Sequence, residues 1–144
     1  MIYLDTDAMI GAYVEADQYH ARAQRAFERL LRDKRARLYT SDVVLWELAN
    51  YFFYNAPAKN PAPAIHFAVD RLRHLRTWPR LEVVTPTAQD HLAALEDFQN
   101  FGDHPISLAD CLSFAIMRRL GIPRVLSFDH HFRVAGFDIV AAQD

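Results

Sequence analysis

Ser107-Leu-Ala-Asp110-Cys-Leu-Ser-Phe-Ala-Ile-Met-Arg-Arg-Leu-Gly121-Ile-Pro123-Arg-Val-Leu-Ser-Phe-Asp129 holds the alternation on which the fold turns. Ser107 with Asp110 three residues later has the spacing of a capping box, and the apolar run behind it predicts a helix to Leu120. Gly121 and Pro123 stop that helix. Arg124–Ser127 then reads as a short buried strand, with Asp129 just past its end. A helix followed at once by a short strand is the unit of a parallel sheet covered on both faces. Between Asp103 and Arg118, Asp110 is the only charged side chain if His is taken as neutral. A carboxylate carried into an apolar interior costs several kcal/mol unless it finds a cation or donors. This segment offers no local Lys or Arg.

Moving outward, the same alternation recurs. Ile2–Leu4 reads as a strand ending at Asp5, and Thr6–Val14 as a helix with Gly11 its soft spot. His20–Arg37 is a long amphipathic helix with Ala23, Ala26, Phe27, Leu30 and Leu31 on its buried face. Leu38–Thr40 is a second strand. Ser41 or Asp42 then caps a helix to about Tyr54, apolar nearly all round and so expected at the centre. Ala56-Pro-Ala-Lys-Asn-Pro-Ala-Pro63 breaks the pattern as a loop. Helix Ala64–Trp78, strand Glu82–Val84, helix Thr87–Phe101 and the loop Asp103-His-Pro-Ile106 follow. A one-turn helix near His130–Val134 and a strand Asp138–Val140 end the chain. These elements predict one α/β domain over residues 1–144, an α/β/α sandwich with a short, mostly parallel central sheet.

Four acids stand alone in apolar surroundings: Asp5, Glu47, Asp110 and Asp129. Three have ordinary explanations, since Asp5 and Asp129 stand where helix N-caps belong and Asp110 fits a capping box. Glu47 does not. It lies mid-helix among Trp46, Leu48, Tyr51 and Phe52, and between Asp42 and Lys59 it is the only charged side chain. Asp5 and Asp129 also stand at the carboxyl ends of strands, where open parallel sheets bind their ligands. A shared divalent cation with oxygen ligands reconciles these carboxylates with burial. Zinc is a poor fit, because the single Cys111 and the spacing of His supply no zinc ligand set.

The 144 residues are 51% hydrophobic and 24% charged, a globular composition with no run of the ~20 apolar residues that a membrane span needs. One cysteine and an N-terminus without a secretion-signal layout point to a reducing, cytoplasmic setting. The net charge of −2 hides basic groups at 22–37, 71–80 and 118–133. They read either as solvated helix faces or as rims that would hold a polyanion by its phosphates.

Taken in order, Ile-Tyr-Leu-Asp5-Thr6-Asp7, Ser41 with Glu47 six residues on, Leu108-Ala-Asp110-Cys-Leu-Ser-Phe-Ala and Leu126-Ser-Phe-Asp129-His-His-Phe resemble a PIN-domain ribonuclease, and within that family the VapC toxins of type II toxin–antitoxin pairs. The resemblance spans essentially the whole chain. It implies an endoribonuclease that cleaves RNA phosphodiester bonds with Mg²⁺, or Mn²⁺ in its place, at Asp5, Glu47, Asp110 and Asp129, with Thr6 supporting the site. Asp5 and Asp110 are then the main metal ligands, Asp129 binds metal directly or through water, and Glu47 holds or deprotonates the attacking water. Ala109 departs from the hydroxyl residue that many relatives carry before the aspartate. The resemblance further implies a cognate VapB-like antitoxin and a homodimer.

Asp7, Asp103 and Ser107 are possible additions to the site, with Asp7 read first as an acid of the helix's first turn. His130 and His131 read as structural or substrate-contacting, and Cys111 as packing. The aromatic residues Trp46, Tyr51, Phe52, Phe53 and Tyr54 suit a subunit or antitoxin interface as readily as a core. Two rivals remain. The Asp5-Thr6-Asp7 opening also resembles haloacid-dehalogenase phosphatases, although Met9 stands where they want Thr or Val, and a PIN scaffold that binds RNA or protein without cleaving it is the other. Asp129-His-His matches a third phosphoesterase pattern over three residues only.

Overall fold

The computed structural model describes residues 1–140; the last four residues of the expected domain lie outside the described residues. Its elements are β1 (Ile2–Leu4), α1 (Thr6–Tyr13), α2 (His20–Arg32), β2 (Leu38–Ser41), α3 (Asp42–Tyr54), α4 (Ala62–Thr77), β3 (Leu81–Val84), α5 (Ala88–Asn100), α6 (Leu108–Leu120), β4 (Arg124–Leu126), α7 (His131–Val134) and β5 (Asp138–Ile139). The five strands form one sheet in the order β3-β2-β1-β4-β5, parallel at every pairing. The sheet is therefore parallel throughout rather than mostly so. β1 lies at its centre, between β2 and β4, so Asp5 leaves the sheet near its middle.

The core runs from Tyr3 and Leu4 through Leu38, Leu45 and Leu48 to Phe114, Ile116, Leu126 and Phe132, all buried. The helix that it encloses is α6, where every residue from Cys111 to Met117 is buried. Gly121 ends α6 with φ of 63°, a left-handed conformation that glycine takes without strain. Gly11 has a different reason. A Cβ there would stand 3.0 Å from the Cβ of Ala23, so the missing side chain lets α1 and α2 close together.

Two expectations change. The helix expected to reach Arg37 ends at Arg32. Arg80, from the turn before β3, donates to the carbonyls of Leu30, Leu31 and Asp33 at 3.2, 2.9 and 2.7 Å, and the Asp33 carboxylate accepts from Arg35 N–H at 2.9 Å. Those bonds satisfy the helix end and turn the chain into β2. The helix expected at the centre, α3, buries Val44, Leu45 and Leu48 but leaves Trp46, Phe53 and Tyr54 exposed. Its apolar circumference exceeds what α4, α1, α6 and the sheet cover.

Candidate active site

The carboxyl ends of β1, β2 and β4 meet at one edge of the sheet, and the acids gather there. Asp5 occupies the N-cap position of α1 but makes no side-chain capping bond. Its carboxylate is 6% exposed and accepts from the Ser127 hydroxyl at 2.9 Å. The same hydroxyl lies 3.2 Å from Asp7 Oδ2, which also accepts from the Phe128 N–H at 2.9 Å. Ser127 Oγ then takes a bond from the Asp129 N–H at 3.0 Å. One serine thus ties both acids of the β1 end to the β4 end.

Asp7 belongs to this group and is more than an acid of a first helical turn. Its Oδ1 is buried with no hydrogen-bond partner. Glu47, reaching from α3, accepts from the Thr6 hydroxyl at 2.7 Å. For Asp110 the two readings hold together. Its Oδ2 accepts from the Ser107 N–H at 3.0 Å and hydroxyl at 2.7 Å, closing the capping box of α6, while its charge acts on Asp5 and Glu47.

The electrostatics follow from burial without counter-charge. Burial foremost, then the Asp7 and Asp110 charges, raises the Asp5 carboxyl well above its ordinary range. Burial raises Asp7 as well, against bonds from Phe128 and Ser127. Burial raises Glu47, with Asp110 and Asp7 adding to the effect and the Thr6 bond opposing it. Under the acids, the buried Tyr3 hydroxyl is held by Ser41 at 2.6 Å and Ser113 at 3.1 Å. That bond occupies Ser41, so Ser41 stands at the N-cap of α3 without capping it by its side chain.

Asp129 sits at the rim. It lies one residue ahead of the N-cap of α7, which is His130, and its Oδ1 accepts from the His131 N–H at 2.9 Å and stands 2.8 Å from His131 Nδ1. Ligand atoms of Asp129, His130 and His131 all lie within 4.8 Å of one another, so the two histidines frame the side of the site on which Asp129 stands. Asp103 is exposed and 3.9 Å from His104, and it is not among the groups acting on the buried acids. Cys111 is buried packing whose thiol is pushed up to about 11, chiefly by burial. Ser127 is the residue that sequence reasoning missed. The available signal was a hydroxyl at the end of a predicted strand, next to the acid that was noticed.

Among the described residues, no cation is a hydrogen-bond or ion-pair partner of Asp5, Asp7 or Glu47. Buried and half-buried carboxylates without a cation, one buried oxygen of them orphaned, are a donor set for a hard divalent ion. Residues 2–138 match the PIN domain family. The chain belongs to that family. Among solved structures similar to this PIN domain is Mycobacterium tuberculosis VapC20, described as a sarcin-ricin loop cleaving toxin, at 26% identity and a TM-score of 0.82 over 97% of this chain and 98% of that one. FitAcB from Neisseria gonorrhoeae is similar at 18% identity and a TM-score of 0.67, with 96% of each chain covered. VapBC2 from Rickettsia felis, bound to a DNA fragment from its promoter, is similar at 18% and 0.65, again over 96% of each. These last two likenesses speak for the fold. No curated protein sequence matches the chain. Membership of the PIN family sets aside the haloacid-dehalogenase reading of Asp5-Thr6-Asp7. No helix among the described residues is long and apolar enough to cross a membrane.

Proposed function

We propose that this PIN domain is a divalent-metal-dependent endoribonuclease toxin of the VapC kind, silenced by a cognate VapB-like antitoxin. The observation that carries the reading is the cluster of a buried Asp5 with the half-buried Asp7 and Glu47, without a cation and with Asp7 Oδ1 unpartnered. Asp5 and Asp110 would hold Mg²⁺ or Mn²⁺, with Asp7 joining them and Asp129 contributing directly or through water. A bound divalent ion supplies the positive charge that lets an anionic phosphodiester approach, and it lowers the pKa of a water.

The chain's own residues do the rest. Glu47, with its pKa raised by burial and its orientation set by Thr6, is a stronger base than an ordinary carboxylate and suits taking a proton from water. Ser127 keeps Asp5 and Asp7 in one register, and Ser107 fixes the rotamer of Asp110. The exposed Trp46, Phe53 and Tyr54 of α3 offer an apolar face for the antitoxin or a second copy of the chain.

The test is cleavage of RNA by purified protein, with sequencing of the ends produced. A sarcin-ricin stem-loop is the first substrate, because VapC20 is described as cutting that loop. Cleavage should need a divalent ion, stop with EDTA and fall at least ~100-fold in Asp5→Asn. Full metal-dependent activity in Asp5→Asn or Asp110→Asn refutes the assignment. RNA binding without cleavage by the wild type supports the scaffold reading instead.

A further inference from the structure

Four of the fourteen arginines are held by partners within the fold. Arg119 pairs with Asp90 at 2.8 Å, Arg118 with Asp97 and Arg76 with Asp42, while Arg80 is spent on backbone carbonyls. Arg133 is different. Its side chain is exposed on α7 and, like those of Arg35, Arg73 and Arg124, makes no hydrogen bond or ion pair with another described residue, while its backbone bonds His130 and Gly136. It borders a cleft of about 100 Å³ whose other walls are Arg22, Ser127, Phe128, His130 and Ile139. Ser127 is the hydroxyl that also bonds Asp5 and Asp7, so the cleft and the acid cluster share a wall.

The opposite wall is held in place. Tyr19 stacks on Phe128 with ring centroids 4.5 Å apart and planes 10° from parallel. The guanidinium of Arg22 lies 5.2 Å from the Phe128 centroid and 5.9 Å from that of Tyr19. Packing of this kind restricts an arginine's rotamers before any ligand arrives. His130, with 77% of its side chain exposed, stands on the same cleft and 3.7 Å from Asp129.

We propose that Arg22, Arg133 and His130 form a subsite for a backbone phosphate of the RNA, beside the one that is cut. The proposal rests on the nuclease reading. A polyanion entering an acidic centre gains from cations placed just outside it, and the planar guanidinium fork matches phosphate oxygens. Phosphate rather than base is the group that fits. The Phe128 ring is already covered by Tyr19 and approached by Arg22, so it offers no open face on which a nucleobase could stack. The subsite therefore fixes the strand's position and carries no sequence preference.

The experiment measures kcat and KM on a fluorescent single-stranded RNA in Mg²⁺, from 50 to 200 mM salt, for wild type, Arg133→Gln, Arg22→Lys and Arg32→Gln. Arg133→Gln should raise KM roughly five- to tenfold, leave kcat within about twofold, and flatten the salt dependence of log kcat/KM by about 0.7. Arg22→Lys keeps the charge, loses the fork, and should raise KM by a smaller factor. Arg32, at the far end of α2, removes the same charge outside the cleft and should behave as wild type. An unchanged KM and salt slope in Arg133→Gln overturns the proposal, as does an equal effect from Arg32→Gln. Fluorescence anisotropy with the same RNA and variants separates the two readings. If wild type binds but never cleaves, the nuclease reading fails, and the shift in Kd of Arg133→Gln still decides the subsite.

Discussion

Asp5→Asn in metal-free protein should raise stability while removing activity. The hydroxyl of Ser127 lies 2.9 Å from Asp5 Oδ2 and 3.2 Å from Asp7 Oδ2, which keeps those two oxygens within about 6 Å of each other. Two unit charges at about 6 Å repel by about 3 kcal/mol at an effective dielectric near 20. Asparagine removes that repulsion and the cost of burying one charge. It keeps an oxygen for Ser127 and gains an N–H₂ that can donate toward Asp7. Against this stand weaker bonds from the Thr6 backbone N–H and the Ser127 hydroxyl to a neutral acceptor, so a net gain of about 1–2 kcal/mol is expected. For a chain of 144 residues that is roughly 3–7 °C in Tm. The sign of the pH dependence is equally specific. Asp5 titrates higher in the folded chain than in the unfolded one, so folding takes up protons and stability falls as pH rises from about 4 through the folded value. Asp5→Asn should flatten that fall. The assay is thermal unfolding in EDTA between pH 4 and pH 8, repeated with Mg²⁺, which should stabilise wild type and leave the variant nearly unmoved. A variant that melts below wild type at pH 8 in EDTA would show that the acid cluster is internally compensated, and the argument for a bound cation would fall.

Thr6→Val removes the 2.7 Å bond to Glu47, so the Glu47 carboxyl should rise further and swing more freely. Cleavage at pH 7 should drop roughly tenfold, with the acid limb of the pH–rate profile moved to higher pH; an unmoved limb would remove Glu47 from proton transfer. Asp90→Asn tests an ion pair remote from the site. Burial raises Asp90, but the bonds from Arg119 and Thr87 outweigh it and hold the carboxyl below its usual range. The pair therefore stabilises above the unfolded value near 4, and the contribution is lost as pH falls through the folded one. The variant should lose about 2–3 kcal/mol at pH 7, at the low end for a broken buried pair because Arg119 is 36% exposed, and the gap from wild type in urea melts should shrink at pH 3.

The helix and strand positions were legible because they rest on neighbours in sequence. The capping box at Ser107 and Asp110, the stop at Gly121 and the short apolar strands ending in acids are all local patterns. The same holds for the placement of Asp5 and Asp129 at strand ends, and for Glu47, whose isolation in an apolar helix needs no partner to be noticed. The end of α2 was not legible, since it is set by Arg80, some fifty residues away. Nor was the exposed side of α3, because an apolar helix reads alike whether its second face meets a core or a partner.

By itself, then, the sequence determined the α/β alternation, the residues that carry negative charge to the sheet edge and the family resemblance of their order. The tertiary structure decided how those acids divide. It drew Asp7 into the cluster, tied Asp129 to His131 at the rim and left Asp103 exposed. It also supplied Ser127, a residue whose role exists only because β4 lies beside β1. Ser127 and Asp5 are 122 residues apart, and only the pairing of two parallel strands puts one hydroxyl between two carboxylates. A local pattern can fix where a side chain leaves the backbone, but the neighbour it meets is set by strand order, which no local pattern encodes.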